Sequence, residues 1–206
     1  MDTRGDTGTA TSPALNSEEA GQNETPEDDP AEIERVKQRK TALNNAIRAF
    51  NYKPKRGMKT LLQDGFIPTS DPHDIARFLL VHNDRINKKA LGEFLGEGEE
   101  ENKQIMAAFV DGMEFGRTRF VDALRRFLQA FRLPGEAQKI DRLMLKFAEK
   151  YCAGNPNAFA NADTAYVLGY SVIMLNTDQH SSQVKKRMTI EDFIKNNRGI
   201  NDGQSL

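Results

Sequence analysis

The sequence predicts an all-α protein with one folded domain, and three observations support this fold class. From about residue 31 onward, apolar residues recur at the i, i+3, i+4 and i+7 spacing of amphipathic helices. No run shows the period-two alternation, rich in β-branched residues, that is typical of a strand. The connections between apolar stripes are short, about three to seven residues. We therefore expect about eight to ten helices, without the fixed-period repeat of a TPR, HEAT or ankyrin array.

Residues 1–29 differ in composition from the rest of the chain. They are mostly Thr, Ser, Gly, Pro, Asn and acidic residues, and Leu15 is their main large apolar side chain. Such a segment buries too little surface to offset the entropy lost on ordering. We therefore predict a disordered acidic leader or linker at 1–29, with the folded domain at 30–206.

Capping residues and apolar stripes mark the helices of the first half of the domain. Pro54 separates the first two helices, Asp71 and Pro72 form a start signal for the third, and Asn87 is placed to cap the fourth. The stripes that we expect to be buried are, in chain order, Ile33, Val36, Leu43, Ile47 and Phe50; Met58, Leu61 and Leu62; Ile75, Phe78 and Leu79; Leu91, Phe94 and Leu95.

The second half continues the same pattern. Pro134 breaks one helix and can open the next, and Thr189 is placed to cap the last helix with Asp192 at N3. Its stripes are Ile105, Met106, Phe109, Val110 and Met113; Phe120, Leu124, Phe127, Leu128 and Phe131; Ile140, Leu143, Met144, Phe147, Ala148 and Tyr151; and finally Phe193 and Ile194.

Composition and missing motifs exclude several classes of function. The 29 Lys and Arg balance 30 Asp and Glu, which argues against a nucleic-acid binder. Cys152 is the single cysteine, so a reducing compartment is expected, and no apolar run is long enough to span a membrane. His73, His82 and His180 form no metal-ligand motif, and no phosphate-binding glycine loop or nucleophile elbow is present. We expect no cofactor, no metal and no bond-making enzyme.

The first segment that suggests a partner surrounds Glu136. The residues Pro134-Gly135-Glu136 form a corner, and we place Glu136 at about N3 of the following helix. The exposed face of that helix is predicted to carry Glu136, Lys139, Asp141 and Arg142. From local physical chemistry alone, Glu136 is better explained as a residue that complements the helix dipole and its free N–H groups.

The second segment is a helix over residues 163–178 that is apolar nearly all round. One apolar line runs through Ala165, Leu168, Val172 and Leu175, while Tyr166, Tyr170 and Ile173 lie on another side. Such a helix is either a central core element or a binding surface. A basic triplet, 185–187, follows as either a solvated face or a match for an acidic partner or anionic lipid.

Four stretches of sequence resemble the Sec-seven domain, the catalytic domain of exchange factors for Arf-type small GTPases. They are FRLPGEAQKIDR at 131–142, DTAYVLGYSVIMLNTDQH at 163–180, FVD at 109–111 and MTIEDF at 188–193. The resemblance extends over about residues 31–203 and is greatest to the large, brefeldin-sensitive Golgi type, including fungal proteins. It implies an elongated right-handed superhelix of about ten helices, excised from a longer chain.

The resemblance also implies roles for individual residues. Glu136 matches the catalytic glutamate, and Asp141 matches an acid that pairs with a GTPase lysine. Tyr170, Ser171, Asp178 and Met188 match the positions that determine brefeldin response. Gly169 and Gln179 depart from the common Ser and Leu. The implied Arf-binding groove comprises Leu133, Gln138, Asp141, Met144, Tyr166, Tyr170, Ile173, Met174, Asn176, Asp178, His180 and Ser181.

The partner implied by the resemblance is an Arf-family GTPase, both GDP-bound and nucleotide-free. We expect a monomeric domain without nucleic acid, acting on the cytosolic face of Golgi membranes at the trans side. Membrane contact is expected to be indirect, through Arf or other regions. The alternative is a non-catalytic helical scaffold that binds a partner protein, with Glu136 an ordinary cap.

Overall fold

The computed structural model describes residues 30–204, and within that range the chain is entirely helical apart from turns and connections. The all-α prediction is confirmed. The predicted leader at 1–29 lies outside the described residues, so it stays a prediction. Nine helices occur in 30–204: α1 Pro30–Tyr52, α2 Pro54–Gln63, α3 Pro72–Val81, α4 Lys88–Gly96, α5 Glu100–Asp111, α6 Phe120–Ala130, α7 Ala137–Gly154, α8 Ala162–His180 and α9 Ile190–Asn196.

Of the described residues, 30–39 belong to one unit and 40–204 to a second. The described part of the first unit is the start of α1, where Arg35 pairs with Glu32 at 2.8 Å and Gln38 donates to Glu34 at 3.1 Å. Both contacts join residues one helical turn apart, so they stabilise this stretch locally.

Predicted start signals account for where three helices of the second unit, α3, α4 and α9, begin. The Asp71 side chain accepts a hydrogen bond from the His73 backbone N–H at 2.8 Å, and Asn87 accepts one from Ala90 at 3.0 Å. Thr189 and Asp192 form a reciprocal capping box. Each cap satisfies backbone donors that lack a partner inside their helix.

An aromatic cluster forms the centre of the second unit. Phe147 of α7 is fully buried, and its ring lies 4.8 Å from Phe127, 5.3 Å from Phe115, 5.8 Å from Phe120 and 6.1 Å from Tyr151. Helix α7 packs along α8 and also contacts α4, α5 and α6. It is therefore the element against which the candidate functional segments are positioned.

Four residues differ in burial from the prediction. Ile33 and Val36 of α1 were expected to be buried, but they are 44% and 59% exposed. Lys139 was placed on the exposed face of α7, yet only 9% of it is exposed, because α4 covers it. Ile194 was expected to dock the last helix, but it is 57% exposed, and half-buried Phe193 is the inward-facing residue of that pair.

Candidate functional site

The corner before α7 is built by the backbone. The Phe131 side chain is fully buried, and the Arg132 N–H donates to the Lys88 carbonyl of α4 at 2.9 Å. Pro134 is buried as well, so the connection turns against the protein before α7 begins at Ala137. This anchoring sets the position of Glu136, the residue just ahead of the helix.

Glu136 is the N-cap residue of α7, three positions earlier than the predicted N3. Its carbonyl oxygen accepts hydrogen bonds from Lys139 at 3.0 Å and Ile140 at 3.1 Å, as an N-cap carbonyl should. Its side chain makes no capping hydrogen bond. The explanation of Glu136 as a side-chain cap is therefore wrong, and its carboxylate is available for another role.

The Glu136 carboxylate is held by one described ion pair. Its side chain is 71% exposed, and Oε1 lies 3.2 Å from Nζ of Lys139. Lys139 in turn contacts Glu93 of α4 at 3.0 Å and Glu97, the residue that follows α4, at 3.2 Å. The hydrogen bond with Glu93, and then those with Glu136 and Glu97, raise the pKa of Lys139 above its ordinary value although burial opposes this. Lys139 is therefore positively charged beside Glu136 at physiological pH.

Asp141, one turn further along α7, is joined to α8. Its Oδ1 accepts hydrogen bonds from the hydroxyls of Tyr166 at 2.7 Å and Tyr170 at 2.9 Å. The two rings meet edge to face, with centroids 5.1 Å apart. The Tyr166 and then the Tyr170 hydrogen bond hold the pKa of Asp141 below its usual value. Burial, followed by the bond to Asp141, raises the pKa of Tyr170, so these groups form a stable acceptor–donor set at physiological pH.

Helix α8 is a surface element, so the alternative that it forms the central core is wrong. Only Thr164, Ala165 and Gly169 are buried along its 19 residues. Val167 is 40% and Met174 63% exposed, and most of the other apolar residues are half-buried. An exposed apolar face of this length is typical of a binding surface.

A groove of about 480 Å³ runs between α6 and α8. Ile173, Asn176 and His180, all predicted site residues, line its α8 side. Its other wall includes Val121, Arg125 and Gln129 of α6, which the sequence analysis did not single out. Their helix was identified only by its buried stripe, and the 45% exposure of Val121 at the edge of that stripe depends on what α6 packs against.

The end of α8 brings two predicted brefeldin-response residues together. The Met188 N–H donates to the Asp178 carboxylate at 2.7 Å, and Gln179 donates to both the Asp178 carboxylate and the Met188 carbonyl. Arg187 also donates to the Asp178 carbonyl. One member of the basic triplet therefore has an intramolecular role, while Lys185 and Lys186 are exposed.

The remaining predicted residues differ in accessibility. Met144 is fully buried beneath Gly169, where an added Cβ would lie 2.7 Å from the Met144 methyl group, so Met144 packs under α8 and, contrary to the prediction, does not line the groove. Gln138 is exposed and lines a cavity together with Asp141 and Tyr166. Leu133, Ser171 and Ser181 are half-buried.

Within residues 30–204, no group of His, Cys, Asp and Glu side chains is arranged to hold a metal ion. None of the helices there is long and apolar enough to cross a membrane.

Comparison with known proteins gives consistent matches to one family. The family model described as "Sec7 domain" matches residues 39–206. This is the Sec-seven domain that the sequence motifs resemble. The chain is 61% identical over 179 residues to an ADP-ribosylation factor guanine nucleotide-exchange factor, sec71, of Schizosaccharomyces pombe. It is 52% identical over 181 residues to human brefeldin A-inhibited guanine nucleotide-exchange protein 1. Each match covers 87% of this chain but only 10% of the relative, so the chain spans about a tenth of their length.

Two solved structures have the same fold. The crystal structure of the Sec7p catalytic domain matches with a TM-score of 0.76 and 52% identity, covering 80% of this chain and 87% of that one. The Sec7 domain in a complex of ARF1-GDP with brefeldin A matches with a TM-score of 0.78 and 38% identity, covering 84% of this chain and 88% of that one.

Proposed function

The chain belongs to the Sec7 domain family, and on that basis we propose that it catalyses the release of GDP and loading of GTP on an Arf-family small GTPase. The Schizosaccharomyces pombe relative is named as an exchange factor for ADP-ribosylation factor, and one related domain is bound to ARF1-GDP. The chain makes and breaks no covalent bond in this reaction, and it acts as a competitor for the nucleotide.

The observation that carries the proposal is the exposed carboxylate of Glu136 at the corner before α7. The anchored connection at Phe131 and Arg132 directs the Glu136 carboxylate away from the core, and the Glu136 side chain makes no capping hydrogen bond. An exposed carboxylate on a fixed corner is suited to enter the phosphate site of a GTPase.

Electrostatics account for the size of the effect. A GTPase holds GDP through its phosphate loop, a lysine and Mg²⁺, and nanomolar binding corresponds to about −12 kcal/mol. Two like charges about 4 Å apart repel by about 4 kcal/mol at an effective dielectric near 20, which is about a thousandfold in affinity. The Glu136 carboxylate would repel the β-phosphate, displace Mg²⁺ and offer the GTPase lysine a replacement anion.

The exposed apolar face of α8 supplies the binding energy in this proposal. Ile173 and Met174 would grip the switch regions of the GTPase, while Asp141 would pair with a lysine of the partner. Because the exchanger binds the empty GTPase best, nucleotide binding must expel the exchanger by the same coupling free energy. GTP then enters because it exceeds GDP in the cytosol, and the site of action that we propose is the cytosolic face of Golgi membranes.

The decisive experiment measures release of fluorescent GDP from Arf with Glu136→Lys. We expect the variant to lose exchange activity while keeping its helical circular-dichroism spectrum. Glu149→Lys is the matched control, because Glu149 is an exposed glutamate on the same helix. Wild-type release by the Glu136 variant would support the non-catalytic scaffold instead.

Brefeldin A should inhibit this exchange. Tyr170, Ser171, Asp178 and Met188 match the sensitive pattern, and Asp178 and Met188 are hydrogen-bonded to each other. Exchange on Arf–GDP, measured over a series of drug concentrations, tests the proposal. A chain whose rate does not fall with added drug would contradict it.

A further inference from the structure

Lys139 occupies an unusual position between α4 and α7. Only 11% of its side chain is exposed, and its ammonium group, which has three N–H donors, contacts three carboxylates: Glu93, Glu97 and Glu136. Its aliphatic stem packs on the backbone of Gly96, where an added Cβ would lie 3.0 Å from Lys139 Cβ and 3.2 Å from Cδ. The ammonium group is therefore fixed in place independently of Glu136.

The three carboxylates hold Lys139 unequally. Glu93 of α4 and Glu97, which follows α4, have side chains 38% and 34% exposed, whereas that of Glu136 is 71% exposed. One positive and three negative charges leave the cluster, Lys139 with its three glutamates, at a net charge of −2. Glu136 is thus oriented by Lys139 without being neutralised by it.

We infer that Lys139 is a positioning residue for exchange, and that Glu93 and Glu97 moderate its hold on Glu136. This inference rests on the proposed function of Glu136. Lys139 restricts the directions in which the exposed carboxylate points, which shortens the search for the phosphate site. Glu93 and Glu97 also attract the ammonium group of Lys139, so Lys139 holds the Glu136 carboxylate less strongly. The carboxylate can therefore leave Lys139 when a cation of the GTPase competes for it.

Lys139→Met tests the orienting role. We expect the maximal exchange rate to fall about five- to tenfold, with the half-saturating Arf concentration changed less than about twofold. Lys139→Arg, which restores the cation, should recover most of the rate. Thermal melting of each variant shows whether it is folded at the assay temperature.

A double-mutant cycle with Glu136→Gln separates positioning from a merely structural effect. If Lys139 acts through Glu136, adding Lys139→Met to Glu136→Gln should slow exchange no further. Equal slowing in both backgrounds would overturn this inference and leave the role of Glu136 intact. An unchanged rate for Glu136→Gln alone would overturn the proposed mechanism, and this inference with it.

A second variant leaves Lys139 in place. In the Glu93→Gln, Glu97→Gln double variant, Glu136 is the one carboxylate of the cluster that still pairs with Lys139. Lys139 should therefore hold Glu136 more strongly, and exchange should slow about fivefold at low salt. The deficit relative to wild type should shrink at about 1 M salt, where the screening length falls to about 3 Å. A rate equal to or above wild type at low salt, or a deficit independent of salt, would overturn the moderating role of Glu93 and Glu97.

Discussion

Hydrogen bonds to Asp141 keep one carboxylate of the candidate site ionised. Its Oδ1 accepts from two tyrosine hydroxyls, while the residue itself remains exposed. Hydroxyl donors stabilise the ionised carboxylate, which is why its pKa is lowered. The candidate site therefore carries a charged Asp141 throughout the physiological pH range.

Removing both hydroxyls should reverse that shift. In the Tyr166→Phe, Tyr170→Phe double variant, we expect the pKa of Asp141 to rise towards its ordinary value. Because the folded-state pKa is depressed, the linked stability is present above the unfolded pKa, about 3.9, and is lost as pH falls through the lower folded value. The check is an NMR titration of the Asp141 carboxyl carbon, and an unchanged pKa would contradict the assignment.

Helix α8 combines buried and exposed apolar residues along one element. Ala165 and Gly169 pack inward, where Gly169 leaves room for the Met144 methyl group. Val167 and Met174 remain exposed and contribute little to packing. Partner binding and folding should therefore depend on different residues of the same helix.

Met174→Ser should weaken partner binding without destabilising the fold. We expect the half-saturating Arf concentration to rise about tenfold, since a buried interface residue is worth about 1–2 kcal/mol. The melting temperature should stay within about 1 °C, because the side chain is 63% exposed. Val81→Ser on α3, 69% exposed, is the matched control and should alter neither quantity. A large loss of stability in the Met174 variant would indicate a core role.

Helix α4 depends on one close backbone approach. A Cβ at Gly92 would lie 1.8 Å from the Arg132 carbonyl oxygen, and the Arg132 N–H bonds to α4 at Lys88. The chain leading to Glu136 therefore passes directly over α4 at a position where only glycine fits.

Gly92→Ala should consequently be destabilising, despite the better helix propensity of alanine. We expect a loss of about 2–3 kcal/mol in the free energy of unfolding, as is typical of overpacking. Urea unfolding measures it. The control Gly135→Ala has no atom within 4 Å of the added Cβ and should be nearly neutral. Equal stability of the two variants would contradict the close approach.

The unit formed by residues 40–204 shares one aromatic core, so its stability should be cooperative. Phe147→Ala removes the ring that contacts four other aromatic residues, and we expect a loss of about 3–5 kcal/mol. Thermal unfolding followed by circular dichroism should show one transition, shifted to lower temperature. Tyr52→Ala, at an 82% exposed position, should leave the midpoint nearly unchanged. Two separate transitions would argue against a shared core.

Local patterns were sufficient to identify most of the helices and the residues at their starts. Apolar spacing and the caps at Asp71, Asn87 and Thr189 are short-range features, because they reflect the helical repeat and backbone donors within one turn. The family resemblance marked Glu136 and the α8 segment, and their functional roles remain proposals.

The tertiary structure decided which of these residues are accessible and what they contact. Lys139 is buried because Glu93 of α4 and Glu97, which follows α4, pack against it, although both are more than 40 positions away in the chain. Met144 of α7 lies under Gly169 of α8, whereas Met174, also on α8, faces outward. Glu136 occupies the N-cap position of α7, yet its side chain makes no capping hydrogen bond and pairs with Lys139 instead. Helical periodicity cannot determine such pairings, because burial and ion pairing depend on how distant elements pack.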